Sequence, residues 1–291
     1  SIGDFAFSGC SSMTSITIPD SVKSIEDMAF FDCPIVGLYI SENVEHIGDG
    51  AFSRVAGAIT VAESNEHFCS EDGVLFNKNK TALLHRPGNL TGTVYNIPDT
   101  VTMIGSYAFK ENKGLTTIVI SDNVAEAGEY AFQSCSSLAT AVLGNGLRTI
   151  PANMFSGDVK LNTVTMGVSV REIARYAFSS CTSLKTVNYK GTQNAWNNIK
   201  ISTTGNDPLT KATKNYGTIE PEIEETNTIT IFLDAAGGSA EKECLTLANT
   251  ASSYEGLPTP TREGCEFYGW FTKAEGGVKI SENDALLIKR D

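Results

Sequence analysis

The chain has 291 residues, 41% apolar and 19% charged, so it holds material for a sizeable core, as one long repeat array or as two to three domains, and nothing in its composition suggests disorder. Its net charge of −12, with no cluster of Lys and Arg, excludes nucleic acid as a partner and opposes attraction to anionic lipid. No apolar run approaches the ~20 residues of a transmembrane helix. No signal peptide is present and Ser1 already lies inside a repeat, which reads as a mature or trimmed fragment.

In chain order, seven anchor residues set a register: Ile2, Ile25, Ile47, Ile104, Ala127, Ile150 and Ile173, each followed by Gly-x-x-Ala-Phe or a variant. Their spacings are 23, 22, 57, 23, 23 and 23 residues, the signature of a solenoid. Within a unit, Ile-x-x-x-Ala-Phe-x-x-Cys-x-x-Leu has the spacing of a short helical or 3-10 segment. The following Thr117-Ile118-Val119-Ile120 alternates as a strand, with Ile118 and Ile120 inward. One unit cannot stand alone. About eight buried side chains gain about 1.5–3 kcal/mol each, while ordering the backbone costs about 1–2 kcal/mol per residue. Stacking on neighbours supplies the rest.

The long spacing contains Val74 to Phe76 and Thr81 to Leu84 around the turn Asn77-Lys78-Asn79-Lys80, which predicts a hairpin-expanded unit over 62–93, with Tyr95-Asn96-Ile97 resuming the regular strand. After the last unit the period is lost in a stretch with Trp196, Ile199, Ile201, Leu209 and Tyr216, read as a cap over 190–217. Pro221 among four glutamates marks an acidic linker over 218–227.

Two sets of residues carry a family likeness. "IGSYAFKENKGLTTIVISDNV" and its sister units, with the insertion "SEDGVLFNKNKTALLHRP", resemble the BspA-like leucine-rich repeat of bacterial surface proteins over about residues 1–189. The resemblance implies a right-handed leucine-rich-repeat solenoid, a place at the cell surface and adhesion or host-protein binding, with no catalytic residues. From Thr228 on, Phe232, Gly237-Gly238, Leu257-Pro258, Pro260 to Gly264, Phe267, Gly269-Trp270 and Gly276-Gly277 resemble the Listeria-Bacteroides (internalin-type B) repeat. That likeness implies a small β-grasp-like α+β module over 228–291. Ala236 stands where that family usually has Asn and Cys265 where it has an aromatic ring.

Candidate chemistry is sparse. The seven cysteines, at 10, 33, 69, 135, 181, 244 and 265, show no C-x-x-C spacing. Cys10, Cys33, Cys135 and Cys181 share one slot in the repeat, filled elsewhere by Val55, Asn112 and Asp158, and are read as buried packing residues. Stacked units lie ~5 Å apart, so Cys135 and Cys181 stand ~10 Å apart, beyond the ~7 Å reach of a disulfide. Cys10 and Cys33 can reach one another and are expected to stay thiols. His46, His67 and His85 are scattered, and no catalytic or cofactor motif appears. His67 and Cys69 lack an orienting third group, and Ser70 to Gly73 reads as a turn rather than a calcium loop.

The solvent side of the stacked strands is the remaining candidate. Its outward positions form two columns, one from Ser15, Gly37, Ala58 and Val94 through Thr117, Thr140, Thr163 and Thr186, the other through Thr17, Tyr39, Thr60, Asn96, Val119, Val142, Thr165 and Asn188. Strand propensity alone accounts for Thr and Val there. The functional reading is a flat protein-binding wall with Tyr39 as its aromatic anchor. Tyr268 and Phe271, alternating with Phe267 and Trp270, are rival anchors. The expected function is a non-catalytic bacterial surface protein that needs no cofactor or metal and binds an extracellular protein of a host or neighbouring cell. A ligand-free stalk is the alternative, and glycan binding is weakened because Tyr39 is the wall's main aromatic.

Overall fold

The computed structural model describes residues 1–219 and, beyond them, the backbone of four strands. The chain divides into two compact units, Ser1–Glu222 and Ile223–Asp291. The second pairs Thr228–Phe232 with Cys244–Ala248 and Trp270–Phe271 with Lys279–Ile280, both antiparallel. The ring contacts expected of Phe267, Tyr268, Trp270 and Phe271, and the positions of Ala236 and Cys265, lie outside the described residues.

The first unit is a leucine-rich-repeat solenoid whose rungs have three sides. One side carries the repeat strands: Leu38–Ile40 pairs with Ile59–Val61. Val94–Asn96, Thr117–Val119, Thr140–Val142, Thr163–Met166, Thr186–Gly191 and Thr213–Ile219 then form a six-stranded parallel sheet. The residues around Ser15 and Thr17 run along this side without forming a strand. A second side holds two-residue strands at the anchors, among them Ser24–Ile25 with His46–Ile47, Met103–Ile104 with Glu126–Ala127, and Thr149–Ile150 with Glu172–Ile173.

The third side differs from the helical segment its spacing predicts. The third and seventh residues after every anchor are left-handed, from Phe5 (φ 55°) and Gly9 (φ 76°) to Tyr176 and Ser180 (both φ 59°). Alternating the backbone in this way turns successive N–H groups in alternate directions. In the unit of Ile150, the N–H groups of Met154, Ser156 and Asp158 close tight turns onto Pro151, Asn153 and Phe155 carbonyls. Those of Asn153, Phe155 and Gly157 instead donate to Arg175, Ala177 and Ser179 of the next unit at 3.3, 2.9 and 2.8 Å. A left-handed L-residue costs roughly 1–2 kcal/mol, and the rung-to-rung ladder offsets it. A helix and this ladder place the same anchor, Ala, Phe and Cys positions inward, so the apolar spacing does not separate them.

Inside, the phenylalanines stack one per rung: Phe7, Phe30 and Phe52 at 5.2 and 6.0 Å between centroids, then Phe109, Phe132, Phe155 and Phe178 at 4.7, 5.3 and 5.4 Å. The buried apolar residues fall into two clusters that part within the expanded unit, Leu75 belonging to the first and Val74 and Phe76 to the second. There the predicted hairpin forms from Val74–Asn77 and Ala82–His85, and a further strand, Phe68–Glu71, pairs with it. Asp72 (φ 49°) and Gly73 (φ 79°) turn between the first two of these strands, the pair of positive φ angles that a two-residue hairpin requires.

At the far end two short helices, Gln193–Asn197 and Asp207–Lys211, cover the last rung, burying Trp196, Ile199, Leu209 and Ala212 on the core. Asn206 stands in for the missing next rung: its Oδ1 accepts the Phe178 N–H at 3.0 Å, and its Nδ2 donates to Ala174 and Ser202 carbonyls at 2.9 Å. Lys214 Nζ donates to the Leu209, Thr210 and Ala212 carbonyls at the end of the second helix.

Candidate functional site

The parallel register places the outward residues in straight columns. Tyr39 stands beside Thr60. After the expanded unit, Asn96, Val119, Val142, Thr165 and Asn188 follow in unbroken Cα register. The column continues to Asn215, whose Nδ2 donates to Asn188 Oδ1 at 2.8 Å. Its neighbour runs Val94, Thr117, Thr140, Thr163, Thr186 and Thr213. Asn215 and Thr213 escape sequence reasoning because the cap breaks the repeat; their signal is a short alternating stretch after Lys211.

The wall is uncharged along these columns. Tyr39 and Val94, each 54% exposed, are its large apolar contacts, while the Thr and Val positions from Thr117 to Thr186 are half-buried by their neighbours. Expansion of the third unit separates the wall into a two-stranded part with Tyr39 and Thr60 and a six-stranded part from Val94 on. The turns closing the rungs on one border carry Asp20, Glu42, Glu63, Asp99 and Asp122, all exposed. None of the five is in an ion pair among the described residues.

The repeat cysteines are packing groups with a shared partner. Cys33, Cys135 and Cys181 each donate through Sγ to the phenylalanine carbonyl of the preceding rung, Phe7, Phe109 and Phe155, at 2.9, 3.1 and 3.0 Å. Burial pushes all three thiols up, away from the reactive thiolate. Cys69 is raised by burial too and points at the Asn77 carbonyl at 3.3 Å. Around it, Ser70 Oγ accepts the Val61 N–H at 3.0 Å and Glu71 pairs with Lys80 at 2.9 Å, so these groups serve the hairpin. Among the described residues no three His, Cys, Asp or Glu side chains stand together as a metal site.

Two buried polar groups beside the hairpin carry no signal in the repeat pattern. His85 Nε2 lies 3.2 Å from the Val55 carbonyl, and burial pushes its pKa down to about 4. Arg86 lies buried over the Tyr95 ring, 4.9 Å from its centroid. Burial lowers the guanidinium pKa and raises that of the Tyr95 hydroxyl to about 12.

The comparisons agree with this architecture. No curated protein matches the chain. A leucine-rich cell surface protein from Faecalibacterium prausnitzii is 29% identical with a TM-score of 0.57, over 68% of this chain and 59% of its own. A leucine-rich repeat protein from Eubacterium ventriosum is 26% identical with a TM-score of 0.53, over 64% and 56%. This chain thus spans less than two thirds of either protein. The pneumococcal vaccine antigen PcpA, at 23% identity and a TM-score of 0.56 over 75% and 65%, shares the fold. The Listeria-Bacteroides repeat domain matches residues 228–291. The BspA type leucine rich repeat region matches in six copies over residues 1–80 and 89–202. With rungs, registers and these matches together, the chain belongs to the BspA-type leucine-rich-repeat family.

Proposed function

We propose that this protein is a non-catalytic component of a bacterial cell surface whose solenoid binds an extracellular protein of a host or neighbouring cell through its strand wall. The observation that carries this reading is the wall itself: uncharged columns in register from Val94 and Asn96 to Thr213 and Asn215, with Tyr39 standing clear of its neighbours. A rigid sheet loses little entropy on binding, and an exposed tyrosine is a common energetic anchor. The acidic border selects a partner whose matching edge is basic, because opposite potentials speed encounter and like charges reject wrong partners.

The division of labour follows: residues 1–217 form the binding array, with its expanded unit at 62–93 and cap at 190–217; 218–227 serve as a linker and 228–291 as spacer or second binding unit. The family memberships are typical of bacterial surface proteins, and no described helix is long and apolar enough to cross a membrane.

The test presents immobilised extracellular-matrix proteins, host receptors and glycans to the intact chain and to a Tyr39→Ala, Asn96→Ala variant. A protein ligand whose affinity falls about tenfold or more in the variant, and falls further with salt, supports the wall. Unchanged affinity in the variant rejects that face. No binding to any of the panel shifts the reading to a stalk.

A further inference from the structure

The turn ladder is interrupted once. At the junctions 2/25, 25/47, 104/127, 127/150 and 150/173, named by their anchors, three N–H groups of one rung donate to three carbonyls of the next; Tyr107, Phe109 and Glu111, for example, reach Glu129, Ala131 and Gln133. Between the rungs of Ile47 and Ile104 the corresponding donors are Gly50, Phe52 and Arg54, and none has an acceptor among the described residues. Of the matching carbonyls, Ala108 receives the Arg86 N–H instead, while Ser106 and Lys110 receive nothing from the described residues. The cause lies in the expanded unit. Leu83 pairs with Ile104 at the anchor position, yet Arg86, three residues on, already donates where the fifth residue of a rung does, so the rung cuts a corner.

The corner leaves a cavity of about 30 Å³ lined by Gly50, Phe52, Ser53, His85, Ser106 and Tyr107, among others. Ser53, 1% exposed, has a hydroxyl with no partner among the described residues. Side chains roof the gap. Phe31 meets Tyr107 edge-on at 5.8 Å, Lys110 sits 4.7 Å above Phe31, Ser106 Oγ donates to Asp49 Oδ2 at 3.1 Å, and Arg54 joins Asp32 to Glu111.

We propose that this cavity is an internal hydration site, in which one or two ordered waters accept from the Gly50 and Phe52 N–H groups, exchange hydrogen bonds with Ser53 Oγ and donate to the Ser106 carbonyl. The chemistry singles out water. The lining needs a group that both donates and accepts, which an anion and a metal cation each fail to do, and the Asp49 carboxylate repels an anion. A water needs about 10–15 Å³ and two to four polar partners, so the volume admits about two. Solvent thus replaces the missing rung, and the two halves of the core meet across a wet seam.

The test is a high-resolution crystal structure of the intact chain, soaked in bromide, beside the same structure of Ser53→Ala. Expected are spherical density peaks within hydrogen-bond distance of Phe52 N, Ser53 Oγ and Ser106 O, without bromide anomalous signal. In Ser53→Ala the peak that served the hydroxyl is lost or moved, and the one bridging Gly50 to Ser106 remains. A bromide peak, an empty cavity, or direct Gly50 to Ser106 bonding with the cavity closed overturns the proposal.

Discussion

Asp158 sits where the rungs before and after it carry Cys135 and Cys181, and it is fully buried. Its Oδ1 accepts the Cys135 N–H at 2.7 Å, while Oδ2 has no partner among the described residues. Burial therefore holds its carboxyl well above the usual carboxylate range. Below the ordinary value of 3.8 the acid is protonated folded or unfolded, and nothing is lost. As pH rises past that value the unfolded chain ionises first, and folding must restore the proton at a cost of about 1.4 kcal/mol per pH unit until the folded pKa is reached. Asp158→Asn and Asp158→Cys remove this penalty. Against wild type, each should gain about 1 kcal/mol between pH 4 and pH 5 and continue to gain above it. For a unit of this size that is about 2–4 °C in melting temperature for each kcal/mol. His85, with its pKa lowered to about 4, titrates in the opposite sense: its stabilisation is full above 6.5 and is lost as pH falls towards 4. It is present in every variant and cancels in the difference. Thermal and urea melts at half-unit pH steps from 4 to 7 provide the measurement. Wild-type and variant curves that stay parallel across that range would show that Asp158 is not a buried acid and would sink the argument.

Three further outcomes follow from the rung. Phe132→Ala breaks the stack between Phe109 and Phe155 and should cost about 3–5 kcal/mol in denaturant melts, a loss under 1 kcal/mol arguing against a close-packed column. Ser134 occupies a left-handed position that Gly157 and Gly9 fill in other rungs, so Ser134→Gly should be neutral or stabilising by up to about 1 kcal/mol, while Ser134→Val should lose about 1–2 kcal/mol; equal effects would count against the backbone assignment. Under native alkylation followed by mass spectrometry, Cys33, Cys135 and Cys181 should stay unmodified over times that label Cys10 and Cys69, which are partly exposed; early labelling of Cys135 would contradict its burial.

Much of this molecule is legible because each decision is made several times. The anchors, the inward Phe and the outward columns recur at fixed offsets, so an ambiguous position in one unit is settled by its counterpart in another. The exceptions share a physical cause. The left-handed alternation on the third side is not legible in the apolar spacing because helix and turn ladder bury the same offsets; only hydrogen bonds between rungs distinguish them. The glycines at Gly9, Gly50 and Gly157, at the third or seventh position after an anchor, were the available clue. The burial of His85 and Arg86 arises where the expanded unit cuts its corner, a geometry that no other unit repeats.

The shared slot shows how far a recurring position constrains its chemistry. In four rungs the slot holds a small side chain that donates a hydrogen bond backwards. Cysteine does so through Sγ onto the phenylalanine carbonyl of the preceding rung, and Asn112 through Nδ2 onto the Pro87 carbonyl at 3.4 Å. Val55 fills the space without donating, in the rung that borders the seam. At Asp158 the same slot holds a carboxyl that accepts the Cys135 N–H through Oδ1, and burial favours its neutral acid form. Cys33, Cys135 and Cys181 thus serve in this array as small apolar side chains that also bring a donor, and replacing Cys135 by Ser should preserve the bond while Cys135→Ala forfeits it.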